Sequence, residues 1–234
     1  MTIAILQCGD TPDALLAEHG RYGAMVQRML GAGRAAQLYD VTRGEWPAAP
    51  AAHQAYVLTG SPAGVYDTLP WIPKLLDFLR AARGQVRLVG ICFGHQAMAQ
   101  AFGGQVVKSE KGWGIGVHEY AVAARAPWME HAVARVRVAA SHQDQVVVCP
   151  PGARVTLASA FTPSAGLDYG DAISFQCHPE FTAAFGRALI ELRRPGYGAL
   201  AAPAIASYAG TDDAARLAAW IGRFLDAGTA VRAA

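Results

Sequence analysis

Val86-Arg87-Leu88-Val89-Gly90-Ile91-Cys92-Phe93-Gly94-His95-Gln96 is the stretch that decides the fold. Val86 to Ile91 is a short, nearly unbroken apolar run, the mark of a strand covered on both faces. It runs straight into Cys92-Phe93-Gly94-His95-Gln96, with a helix beginning just after Cys92 that Ala97 to Phe102 continues before Gly103-Gly104. Strand, tight turn and helix in immediate succession form the repeating unit of an α/β protein with a parallel sheet.

The same alternation extends outward on the N-terminal side. Ile3-Ala4-Ile5-Leu6-Gln7 is a buried strand. Met25, Val26, Met29 and Leu30 recur at helical spacing and stop at Gly31 and Gly33, and Gln37 to Val41 and Tyr56 to Leu58 are the next strands. Pro70 to Arg83 carries Ile72, Leu75, Leu76 and Leu79 on one face and ends before Gly84, which predicts an amphipathic helix. From Val106 to about Gln176 strand patterns dominate: Gly116 to Val122, Val133 to Ala139, Val146 to Cys149, Val155 to Ala158 and Ala172 to Gln176. The expected fold class is therefore α/β, a mostly parallel central sheet flanked by helices, with a smaller antiparallel extension. Helices return at Ala183 to Leu192 and Ala214 to Leu225, separated by Pro195-Gly196-Tyr197-Gly198. One domain over 1–234 is expected, with a helical C-terminal extension at about 195–226 that covers a sheet face. The Ala-rich stretch after Asp226 is expected to fray.

Composition narrows the function. With 234 residues, 53% of them hydrophobic, 16% charged and a net charge of +2, the chain can bury a sizeable core and carries no basic block of the kind nucleic-acid binders use. No apolar run approaches the ~20 residues of a membrane span, and the first residues lack the basic start of a signal peptide. No nucleic acid and no membrane are expected as partners, and the expected location is cytoplasmic. Cys8, Cys92, Cys149 and Cys177 make no C-x-x-C pair and are expected as free thiols, and His19, His53, His118 and His131 show no metal-ligand spacing. Neither metal nor cofactor is expected. Lys111 to Gly116 is Gly-rich but matches no phosphate-binding pattern.

Two segments can carry chemistry. A cysteine at a strand-turn-helix junction, flanked by glycines, sits on a strained turn with its sulfur exposed, and the helix N-terminus behind it stabilises a thiolate. The competing reading of Cys92 is a small buried hydrophobe. In Phe175-Gln176-Cys177-His178-Pro179-Glu180-Phe181 an extended backbone would put His178 and Glu180 on one face and Cys177 on the other. Carboxylate, imidazole and thiol are the orienter, base and nucleophile of acyl transfer. The competing reading is a His and Glu at a surface strand end.

Gly-Ile-Cys-Phe-Gly-His-Gln and Phe-Gln-Cys-His-Pro-Glu-Phe resemble, in order and separation, the two signature segments of class I glutamine amidotransferases. The likeness runs from the first strand to about Leu192, and is closest to the amidotransferase domain of GMP synthase and its stand-alone relatives. It implies a flavodoxin-like class I amidotransferase fold, with Cys92 as nucleophile, His178 as base and then acid, and Glu180 as orienter. It implies an oxyanion hole from backbone N–H groups at Phe93 and at Gly60-Ser61 of the turn Thr59-Gly60-Ser61-Pro62. Gln96 matches a residue that contacts the substrate glutamine. Ser141-His142-Gln143-Asp144 resembles the Ser-His-Gly-Asp segment that reads the amino and carboxylate groups of glutamine through its backbone, which makes Ser141, Gln143 and Asp144 substrate-binding candidates and His142 a loop residue. Gln143 stands where that segment has Gly, and Ser61 where the usual turn has a second Gly. By the same likeness Lys111 to Gly116 borders the glutamine pocket.

Three readings follow. The first is a stand-alone glutamine amidotransferase that hydrolyses the side-chain amide of glutamine to glutamate and ammonia through a Cys92 γ-glutamyl thioester, alone or with a separate synthetase subunit. No ATP-using domain is expected in the residues that follow the second motif, and no P-loop pattern is present in the sequence. The second is a γ-glutamyl peptidase or hydrolase acting on another γ-glutamyl compound. The third is a non-catalytic binding or regulatory module, against which the joint presence of Cys92, His178 and Glu180 argues.

Overall fold

The opening strand Ile3–Gln7 (β1) is buried along its whole length and lies second in a nine-stranded sheet in the computed structural model, which describes residues 1–227. Two helices, Asp13–His19 (α1) and Tyr22–Leu30 (α2), lead to Ala36–Asp40 (β2). Ala55–Leu58 (β3), Trp71–Ala82 (α3), Arg87–Ile91 (β4) and Phe93–Ala101 (α4) follow. The chain then makes a long excursion through Gln105–Lys108 (β5), Gly114–Val122 (β6), Arg135–His142 (β7), Asp144–Val148 (β8), Arg154–Ala158 (β9) and Gly166–Asp168 (β10), and returns as Ala172–Phe175 (β11). Ala183–Leu192 (α5), Arg194–Tyr197 (α6), Ala201–Ala206 (α7) and Ala214–Asp226 (α8) complete it. No helix among the described residues is long and apolar enough to cross a membrane.

The sheet order is β2-β1-β3-β4-β11-β10-β9-β6-β7. From β2 to β11 every pairing is parallel; from β10 outward every pairing is antiparallel. The antiparallel extension thus continues the main sheet, while β5 and β8 pair separately.

The period of two in the parallel strands sorts their side chains between two layers. Ile3, Ile5, Val57, Val89, Ile91, Ile173 and Phe175 pack with Val26 and Leu30 of α2 and with Leu217, Trp220, Ile221 and Phe224 of α8. Ala4, Leu6, Tyr56, Leu58 and Leu88 pack on the opposite face with Ile72, Leu75 and Leu79 of α3 and with Phe93, Ala97 and Met98 of α4. Burial of each large aliphatic or aromatic side chain contributes ~1.5–3 kcal/mol. The far C-terminal helix covers a sheet face, as the apolar spacing of α8 predicts.

Helix α4 does begin directly after Cys92, at Phe93, because Cys92 makes the entire turn by itself. Other elements depart from the sequence reading. Strands β5 and β10 are four and three residues long, too short for alternation to register. Helix α1 buries no residue and so has no apolar stripe to read. The Pro195-Gly196 stretch is itself a helical turn, with Pro in the first turn where its missing N–H costs nothing. The stretch expected to fray beyond Asp226 falls almost wholly at 228–234, outside the described residues.

Candidate active site

Strand β4 ends at Ile91 and α4 begins at Phe93, so Cys92 carries the reversal with φ 51° and ψ −102°. It is the one non-glycine residue with positive φ among the described residues. Such a conformation costs ~1–3 kcal/mol and persists where surrounding structure enforces it. Here Cys92 N–H donates to Phe175 O at 2.8 Å, and Gln96 N–H to Cys92 O at 3.1 Å. Both flanking glycines are required by close approach. A Cβ on Gly90 would lie 2.5 Å from the Gly94 carbonyl oxygen, and one on Gly94 2.6 Å from Leu58 Cβ.

Strand β11 lies parallel to β4 with Phe175 opposite Ile91, so the chain beyond Phe175 emerges beside Cys92. The extended backbone considered for 176–180 is not what forms: Pro179 and Glu180 make a turn, with Phe181 N–H donating to His178 O at 3.4 Å. The turn nonetheless brings the predicted pair together, His178 Nδ1 lying 2.7 Å from Glu180 Oε1. Phe181 stacks on the imidazole at 4.0 Å between centroids and 12° between planes, which fixes the ring. Nε2 is left without a well-formed hydrogen bond among the described residues, with Cys92 sulfur as its electrostatic neighbour. Burial by itself pushes His178 toward the neutral form, but the Glu180 carboxylate and then Cys92 outweigh it and hold its pKa above the usual histidine value. Cys177 is fully buried, and burial pushes its thiol far up, as suits an inert residue.

The third wall is the turn after β3. A Cβ on Gly60 would come within 3.1 Å of His178 Cε1 and 3.7 Å of Cys92 Cβ, so imidazole and cysteine meet across a bare backbone. The Thr59 hydroxyl donates to Gly60 O at 2.9 Å and accepts from Cys8 N–H at 2.9 Å, which ties the turn to the end of β1. Gly9 supports the turn from behind, since a Cβ there would lie 2.8 Å from Ser61 Cα. Opposite, Phe93 contributes the first N–H of α4, one of those a helix leaves without an internal acceptor.

The predicted glutamine-reading residues lie on the α4 side of the sulfur. Gln96 Nε2 donates to Asp144 O at 3.0 Å and to Gln176 Oε1 at 3.1 Å, and Gln176 Nε2 reaches Cys92 Sγ at 3.6 Å. The role of Gln176 was not read from the sequence, although a polar residue ending a buried strand is a signal. The Ser141 carbonyl lies 3.9 Å from Sγ. Gln143 O accepts from Ser109 N–H at 3.2 Å, and Gln143 does not adopt the positive φ that a Gly in its place would permit. Asp144 is half-buried beside Tyr66; burial raises its carboxyl and the Tyr66 hydroxyl partly offsets this. His142 is not in a loop as expected but is the last residue of β7, its ring nitrogens 3.2 Å from Asp144 O and 3.5 Å from Thr162 Oγ1. Within the Gly-rich 111–116 stretch Gly114 and Ile115 pair with His142 and Ser141, beside the candidate glutamine-reading residues, while Trp113 lies on Tyr197 and Gly116 faces Ala204 and Ser207.

Cys92, His178, Glu180, Gly60, Ser61 and Ser141 open into a cleft of about 310 Å³, counting its mouth to solvent. Pro62, Phe181, Leu189, Tyr22 and Arg193 complete the lining, and neither Tyr22 nor Arg193 was singled out from sequence. The arrangement can deliver a thiol to a carbonyl, move its proton to an imidazole and cradle an oxyanion between two backbone segments.

The family model described as glutamine amidotransferase class-I matches residues 32–191. Gamma-glutamyl peptidase 4 of Arabidopsis thaliana is 29% identical over 183 residues, 73% of this chain and 73% of that protein. The glutamine-hydrolyzing GMP synthase of Thermomicrobium roseum is 32% identical over 129 residues, 53% of this chain and 23% of that protein. The crystal structure of a glutamine amidotransferase of Thermotoga maritima superposes with a TM-score of 0.78 at 19% identity, covering 96% of this chain and 98% of that one, a likeness of fold.

Proposed function

Because the chain belongs to the class I glutamine amidotransferase family, we propose that it hydrolyses the side-chain amide of glutamine through a thioester on Cys92. The observation that carries this is the 2.7 Å His178–Glu180 contact beside a cysteine held at positive φ. The Cys92 sulfur adds to the γ-carbonyl carbon while its proton resides on His178. The resulting oxyanion is held by backbone N–H groups at Phe93 and at the Gly60-Ser61 turn. As the intermediate collapses, the C–N bond breaks and His178 Nε2 gives its proton to the departing nitrogen, releasing ammonia. Water then attacks the thioester carbonyl with His178 as base, the C–S bond breaks and glutamate leaves with the thiol restored. Glu180 keeps the imidazole in the required orientation and favours its protonated form. Gln96, Ser141, Gln143 and Asp144 bind the glutamyl end. The ammonia acceptor, in this reading, is served by a separate synthetase subunit.

A second reading, hydrolysis of other γ-glutamyl compounds without a partner, is favoured by the nearly even coverage shared with gamma-glutamyl peptidase 4. One experiment addresses both: release of ammonia from L-glutamine and of free amine from γ-glutamyl dipeptides by the purified chain, with Cys92→Ala beside it. Activity is expected on at least one substrate, reduced at least ~10³-fold by Cys92→Ala, as loss of a covalent nucleophile requires. A Cys92→Ala protein as active as the wild type would remove the thioester from the mechanism.

A further inference from the structure

The cleft beside Cys92 extends past the groups the reaction uses. There its lining combines apolar Pro62, Phe181 and Leu189 with two polar residues, Tyr22 at the start of α2 and Arg193, which closes α5. Chemistry fixes which side of the substrate this wall faces. The proton donor must point at the departing nitrogen, so whatever is attached to that nitrogen lies in the cleft that His178 and Glu180 line. Of the residues assigned to the glutamyl end, Gln96, Gln143 and Asp144 lie outside this lining, and Ser141 lies within it beside the sulfur.

Ammonia needs no such wall. Arg193 is partly buried, and its guanidinium has neither hydrogen bond nor ion pair among the described residues, whereas Arg187 donates to Tyr208 O and Arg194 is paired with Glu191. Tyr22 is buried and lies within the electrostatic reach of Arg193 on one side and of Cys92 and Glu180 on the other. Burial pushes its phenol far up, so the hydroxyl stays a neutral donor. The Glu180 charge is already taken up by His178 at 2.7 Å. A planar cation with five donors and a neutral hydroxyl in a half-closed cleft match a carboxylate.

We propose that Arg193 and Tyr22 form a subsite for a carboxylate on the leaving group, so that the preferred substrates are γ-glutamyl amides of an amino acid or short peptide. This rests on the γ-glutamyl hydrolysis reading above and names its substrate class. The chemical balance is unchanged: the γ-glutamyl C–N bond breaks, His178 protonates the leaving amine, and water completes hydrolysis to glutamate and the free amino acid.

The test compares kcat/KM for γ-glutamylglycine and γ-glutamylglycinamide, which differ in the leaving-group carboxylate, in the wild type, Arg193→Met and Arg193→Glu, with glutamine alongside. The wild type is expected to prefer γ-glutamylglycine, and that preference to fall ~10–100-fold in Arg193→Met, the range that one or two charge-assisted hydrogen bonds supply. Arg193→Glu is expected to reverse it. Because the readout is a ratio within one preparation, partial loss of folded protein cancels. A wild type that hydrolyses glutamine but treats the two dipeptides alike overturns the subsite and leaves the reaction standing. An unchanged ratio in both variants overturns the assignment to Arg193. No Cys92-dependent turnover of any of the three compounds defeats the hydrolysis reading and the subsite with it.

Discussion

At the scale of single residues, the site depends on how Glu180 biases one imidazole. Its carboxylate is first among the influences that raise His178 against the opposing effect of burial. Removing that charge lets burial dominate, so the His178 pKa falls and the imidazolium is lost at lower pH. For Glu180→Gln, the alkaline limb of the activity profile is therefore expected to move to lower pH while the residual activity still requires Cys92. Rates of ammonia release across a pH series check this, and an unmoved alkaline limb would show that Glu180 positions the ring without tuning its charge. The identities of Cys92, His178 and Glu180 were legible in the sequence because each stands in a short motif. Their geometry was less so: the pair meets through a turn, since Pro179 and Glu180 leave the strand path. Tyr22 and Arg193 were illegible, being remote in sequence from Cys92 and from each other and joined only by the fold.

Among the elements, legibility followed burial. Helices α3 and α8 present an apolar stripe to the sheet and were readable to within a residue or two. Helix α1 has no residue buried as a whole, only Leu15 and His19 leaning on the core, so its sequence carries little periodic signal. The same difference predicts energetics. Trp220→Ala on α8 removes a fully buried ring from the layer beneath the parallel strands and is expected to cost ~3–5 kcal/mol. Ala17→Gly on exposed α1 is expected to cost ~1 kcal/mol or less, the helix propensity difference alone. Urea unfolding followed by circular dichroism separates the two; comparable losses would mean that α1 is docked more firmly than its exposure implies.

For the molecule as a whole, two buried histidines set the response to acid. Burial pushes His95 and His142 each down to about 3, so the folded chain keeps both neutral where the unfolded chain protonates them. The unfolded state then binds more protons, and stability falls as pH drops from the ordinary histidine value of about 6.5 toward 3. His178 has the opposite sign: its contribution is complete below about 6.5 and is lost as pH rises through its raised folded value. The net expectation is a chain ~3 kcal/mol less stable at pH 5 than at pH 7, measured from urea midpoints, with equal midpoints meaning that the fold accommodates those protons. The parallel sheet was legible because its strands are apolar runs between helices, whereas the joining of the antiparallel strands to its edge is a long-range pairing no local pattern encodes. That topology also separates two kinds of change. Strands β4 and β11 are hydrogen-bonded neighbours, so the long excursion between them departs from and returns to one place in the sheet. Insertions or drift within that excursion fall on Ser141, Gln143 and Asp144, the groups proposed to read the glutamyl end, while the meeting of sulfur and imidazole is set by two adjacent strands, which lets one reaction be re-aimed without being rebuilt.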